Sequence, residues 1–149
     1  MDRLVVLFGG SSDPDPELTW ARGITLAVDD GAVAPIDHPG PIGVVGSSTA
    51  GVDALGFAAR HPKRVDRVVV VATPIPEDDS TLPFELSEAT AKTLLLFGAK
   101  DPLTGSRHGS WWQKRLPHAR LEMIPEGGHE LLAPMWKRTL SHLAPRCTR

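Results

Sequence analysis

A hydroxyl held at a cramped corner is the first chemistry the chain offers. In PIGVVGSSTAGVDALGFAAR, residues 41–60, an apolar run ends at Val45 and a helical pattern begins almost at once, with Ser47 and Ser48 caught between Gly46 and Ala50. So sharp a turn brings the strand and helix backbones nearly into contact, and the residues two before and two after its tip must be small. Gly46 and Ala50 meet that demand around Ser48. The tip would also stand at a helix N-terminus, where free N–H groups and the helix dipole favour developing negative charge. That is a place for the nucleophile of an acyl transfer. Two other readings fit the same letters. A Ser-Ser-Thr cluster can simply cap the helix, and a strand, glycine turn and helix can cradle a phosphate. GVVGSSTAG is neither GxGxxG nor GxxxxGKS/T, however, and the next apolar run ends in Ala72-Thr73 without an acid to bind a ribose.

Two later stretches carry a carboxylate and an imidazole. TLLLFGAKDPLTG sets Asp101 just past a buried-strand pattern, and LEMIPEGGHELL sets His129 in a glycine-flanked loop after the next one. Functional groups of open parallel sheets gather at the carboxyl ends of the strands. Asp-Pro after a strand is also common turn chemistry. Of the other histidines, His38, His61, His108, His118 and His142 read as loop or surface residues. Trp111-Trp112 falls on an amphipathic helix, where at least one of the pair belongs to the core.

The elements that must position these groups alternate along the chain in the βαβ manner of an α/β protein. Strands are expected at Leu4–Phe8, Ile24–Val28, Ile42–Val45, Val68–Thr73, Thr93–Phe97 and Leu121–Ile124, and helices over Thr49–Arg60, Gly109–Leu116 and Glu130–Leu143. Runs such as RVVVVAT and TLLLFG suit central strands covered on both faces. The connection GAVAPIDHPGP, residues 31–41, has three prolines and no helical period, so one crossover is expected to lack its helix. The chain has 149 residues and is expected to form a single domain over 1–149. With 16 basic and 18 acidic residues, scattered, it has no electrostatic footprint for nucleic acid or an anionic membrane. No apolar run is long enough to span a bilayer. The one cysteine, Cys147, precludes an internal disulfide, which points to a reducing, cytoplasmic setting.

Taken together, the chain resembles the α/β-hydrolase superfamily, chiefly small lidless esterase and peroxidase-like members whose segments read GHSMGG, G.KDP and IPGAGH. The order Ser48, Asp101, His129 is the order expected there. The resemblance implies a near-minimal α/β-hydrolase fold of about six parallel strands in the order 2-1-3-4-5-6, with helices on both faces and no cap domain. It implies that Ser48 is the nucleophile, His129 the general base and then acid, and Asp101 the group that orients the imidazole. The oxyanion hole would use the backbone N–H of Thr49 and of Gly10. In that first loop the family has His-Gly where this chain has Phe8-Gly9-Gly10. Some members take the acid after the preceding strand, where Glu77, Asp78 and Asp79 stand.

The implied activity is hydrolysis of a small ester or thioester through an acyl-enzyme, with no metal or organic cofactor. A non-catalytic binding module is the alternative, and a lyase or cofactor-free peroxidase using the same residues is a third. A missing cap and a missing crossover helix would also leave apolar surface and the edge strand at Ile24–Val28 open, so a homodimer is expected.

Overall fold

The computed structural model describes residues 3–8, 24–29, 40–76 and 82–145. Six strands, β1 (Arg3–Phe8), β2 (Ile24–Asp29), β3 (Ile42–Ser47), β4 (Val65–Val71), β5 (Lys92–Gly98) and β6 (Ala119–Ile124), form one sheet in the order β2-β1-β3-β4-β5-β6. Every pairing is parallel, which carries the ends of β3, β5 and β6 to the same edge. The strand order is the expected one, and β2 lies at the margin.

Alternation along each strand sorts the apolar side chains to two faces. Val6, Val44, Val70 and Phe97 meet α1 (Ala50–Arg60), Trp112 of α2 (Gly105–Arg115) and Leu116, which caps that helix. Val5, Val45, Val71 and Leu96 meet Leu131, Leu132 and the apolar stripe Trp136, Leu140 and Leu143 of α3 (Trp136–Leu143). Helices therefore cover both faces, and the continuous Val/Leu runs reflect strands with no wet side. In α1 the small residues Gly51, Ala54 and Ala58 are buried and let the helix lie close to the sheet. The helix stops at His61, ahead of Pro62. Trp112 is fully buried, as expected for one of the tryptophan pair, while Trp111 stays half-exposed beneath the Arg115 guanidinium, 4.1 Å from its ring.

Several boundaries differ from the sequence expectation for local reasons. Strand β4 was expected over Val68–Thr73 but runs over Val65–Val71. It starts early because Ile42 N–H bonds Arg64 O and brings Val65 opposite Ile42. It ends early because Ala72 turns left-handed, with φ 52. Helix α3 is confined to Trp136–Leu143 rather than beginning at Glu130, since Pro134 lacks the N–H that a helix begun there would need. Helix α2 begins one turn earlier than expected, at Gly105, and β6 begins at Ala119.

Between β4 and β5, residues 72–91, the described residues hold one 3-10 turn, Leu86–Glu88, and no cap domain. The proline-rich crossover, residues 31–39, lies outside the described residues, as do Gly10, His38, Glu77, Asp78, Asp79 and Cys147. Among the described residues no helix is long and apolar enough to cross a membrane.

Candidate active site

The corner after β3 is as tight as its residue types require. A Cβ at Gly46 would stand 2.2 Å from the carbonyl oxygen of Ala50, so no larger residue fits there. Ser48 has φ 55, a left-handed backbone that costs a non-glycine residue about 1–3 kcal/mol and persists only where the surroundings enforce it. They do so here at both ends of the residue. Its N–H donates to Val71 O at 2.7 Å, and its carbonyl accepts the Thr73 hydroxyl at 2.6 Å. The capping reading fails on geometry, because the N-cap residue of α1 is Thr49, which makes no side-chain cap bond, and the Ser48 hydroxyl turns to His129 instead. Among the described residues the Thr49 N–H, which follows the tip of the turn, has no backbone acceptor.

The loops after β5 and β6 are laced to one another. Lys100 N–H donates to Gly127 O at 2.9 Å and Ala99 N–H to Ile124 O at 3.0 Å. Their approach is so close that a Cβ at Gly98 would lie 2.2 Å from Gly127 O and 2.3 Å from Gly128 O. This contact sets Asp101 against His129. His129 Nδ1 lies 2.8 Å from Asp101 Oδ2, and His129 Nε2 lies 3.1 Å from Ser48 Oγ. A carboxylate can only accept, so Nδ1 carries the hydrogen and the neutral ring offers its Nε2 lone pair to the serine O–H.

The Asp101 side chain is wholly buried, whereas the His129 side chain keeps 22% exposure. Burial alone would push the Asp101 carboxyl up. Hydrogen bonds from Thr104, His129 and the Leu103 N–H, with the field of His129, outweigh it and hold the group below the usual carboxylate value. The Thr104 hydroxyl donates to Oδ2 at 2.5 Å and Leu103 N–H to Oδ1 at 2.7 Å. The carboxylate is thereby fixed in place and in charge.

Ser48, Asp101 and His129 thus come together from three separate strand ends. Sequence reasoning missed Thr104, although DPLT carries the signal: an aspartate followed by a donor N–H two residues on and a hydroxyl three on is an Asx-type turn. It also misplaced His108 as a surface residue. His108 sits on α2 and its Nδ1 accepts the Ile75 N–H at 2.8 Å. His61 and His142 lie away from the three, His61 against Phe57 and His142 Nε2 donating to Lys92 O. Among the described residues no three metal-ligating side chains converge.

Two of these histidines should give the fold a pH-dependent stability. Burial and then Arg107 push His108 below the ordinary imidazole value, against a weaker pull from Asp101. His142 is lowered by burial, against its bond to Lys92 O, with Arg67 and Arg138 adding to the fall and Glu122 opposing it. Each group binds its proton less readily when folded. The stability it contributes is complete above its unfolded value, about 6.5, and is lost as pH falls through the depressed native value. The melting temperature is expected to drop between about pH 7 and pH 5. His108→Asn, whose side-chain oxygen can still take the Ile75 N–H, should flatten that slope, and a wild-type melting temperature constant across the window would contradict the assignment.

Solved structures share this architecture. The chain superposes on 2-hydroxy-6-oxo-6-phenylhexa-2,4-dienoate hydrolase from Rhodococcus with a TM-score of 0.72 at 12% identity, over 95% of this chain and 90% of that one. It superposes on a carboxylesterase from Bacillus subtilis with a TM-score of 0.68 at 16% identity, over 97% and 84%. A mouse α/β-hydrolase domain-containing protein gives 0.60 at 15% identity, over 93% and 86%. No protein-family model and no curated protein matches the chain by sequence. The chain has the α/β-hydrolase fold.

Proposed function

We propose that the protein is a serine hydrolase that cleaves an ester or thioester of a small acyl group through an acyl-enzyme. The observation that carries this reading is the hydrogen-bonded series from Ser48 Oγ through His129 to the buried Asp101, standing at a left-handed turn. Ser48 Oγ attacks the acyl carbon while its proton passes to His129 Nε2. The oxyanion of the tetrahedral intermediate takes the Thr49 N–H, and the sequence resemblance offers the Gly10 N–H as the second donor. His129 then hands the proton to the leaving alkoxide or thiolate, and the acyl-enzyme remains. Water attacks that ester with His129 again as base, and the carboxylic acid leaves as Ser48 regains its proton. Asp101, held ionised and immobile, stabilises the imidazolium in both halves.

The intact elbow, base and acid favour catalysis over a non-catalytic module, since a binding role would need none of these bonds. Reaction with a fluorophosphonate, followed by identification of the modified peptide, tests the reading. Modification at Ser48 is expected, and a folded protein left unmodified would overturn it.

A further inference from the structure

Ser48 does not hold its own conformation; the segment leaving β4 holds it. Val71 O takes the Ser48 N–H, and two residues later the Thr73 hydroxyl returns a donor to the Ser48 carbonyl. Thr73 can reach back because Ala72, at φ 52, reverses the chain between them, and Ala72 is itself pinned by its N–H to Leu96 O at 2.9 Å. The hydroxyl lies flat against the start of α1, where a Cβ at Gly51 would stand 2.0 Å from Thr73 Oγ1. From the other side, Trp112 Nε1–H donates to Thr73 O at 3.0 Å, and both residues are fully buried. A glycine on α1 thus makes the space, and an indole on α2 holds the backbone that fills it.

We propose that Thr73 is a positioning residue for the nucleophile, its hydroxyl fixing the left-handed backbone of Ser48 and with it the line from Oγ to His129. This rests on the reading of Ser48 as nucleophile. Gly51 N–H also reaches Ser48 O at 3.1 Å, along the helix. Loss of the Thr73 hydroxyl therefore leaves the carbonyl with a partner, and what goes is the constraint on its direction. Thr73 touches no reacting atom. Its effect should fall on the rate of the chemical step and leave binding unchanged.

The test compares wild type, Thr73→Val and Thr73→Ser by the rate at which a fluorophosphonate modifies Ser48. In that reaction an Oγ–P bond forms, the P–F bond breaks, fluoride leaves and the serine proton goes to His129. Thr73→Val is expected to react about tenfold more slowly, the scale of one lost hydrogen bond. Its kcat on p-nitrophenyl acetate should fall in step while KM holds. Thr73→Ser, which keeps the hydroxyl, should recover the wild-type rate to within about twofold. A valine variant as fast as wild type would overturn the proposal, and so would a serine variant as slow as valine. If Thr73→Val does not fold, Trp112→Phe stands in, with about threefold slowing expected and an unchanged rate refuting the brace. Wild type unmodified at Ser48 would instead remove the nucleophile assignment, and this inference with it.

Discussion

Ser48→Ala is expected to abolish turnover of p-nitrophenyl acetate, with kcat falling on the order of 10⁶, the loss recorded when the serine or histidine of the subtilisin triad is removed. Alanine deletes only the half-buried hydroxyl that faces His129, and the bonds that hold the corner are made by the backbone of residue 48. The fold and its melting temperature should therefore persist. In the proposed mechanism Ser48 and His129 act on one proton, so adding His129→Ala to Ser48→Ala should cost little more than either alone. Undiminished esterase activity in a folded Ser48→Ala protein would refute the mechanism. Fluorophosphonate modification at Ser47 would move the nucleophile by one residue.

Asp101→Asn should lower kcat by about 10⁴, as in the chymotrypsin-type triad. An asparagine amide set against His129 Nδ1 donates where the carboxylate accepted, so the imidazole is turned to the tautomer whose Nε2 carries a hydrogen and can no longer take the serine proton. Leu103 N–H still donates to the amide oxygen, and the Thr104 hydroxyl, which donated to the oxygen facing His129, turns to accept from the NH2, so the amide is held in place and the wrong tautomer persists. Asp78→Asn and Asp79→Asn are expected to remain near wild type in the same assay. The opposite ranking would transfer the orienting role to the segment after β4.

The sheet was legible because central strands covered on both faces must be apolar throughout, which β4 and β5 are. Ends of elements were less so. Nothing in Ala72 announces a left-handed residue; the turn is imposed by β5 and by the elbow that it faces. Ser48, Asp101 and His129 could be found because their corners demand small residues at Gly46, Gly98 and Gly127, and steric demands leave marks in the letters. Thr104 left its mark in DPLT, but the more distant contacts around the site left none. Thr73 reaches Ser48 from 25 residues away and His108 reaches Ile75 from 33, and side-chain contacts across helix and sheet have no local signature.

The three residues are not equally secured. Ser48 follows β3, whose residues Ile42–Gly46 are all buried between two neighbouring strands, whereas His129 follows β6, which among the described residues is a margin strand paired with β5 alone and nowhere fully buried. The other anchors of β6 include a two-pronged ion pair of Glu122 with Arg138 on α3, half-exposed and worth about 1 kcal/mol at most. Opening of a protein begins where burial is thinnest. In rising urea β6 should loosen before the central strands and carry the imidazole away while the elbow stands. Activity is then expected to vanish at a lower urea concentration than the far-ultraviolet circular dichroism, and coincident midpoints would show that the margin melts with the whole. Under stress the working life of the site should then be set by the strand that carries His129, before the central sheet gives way.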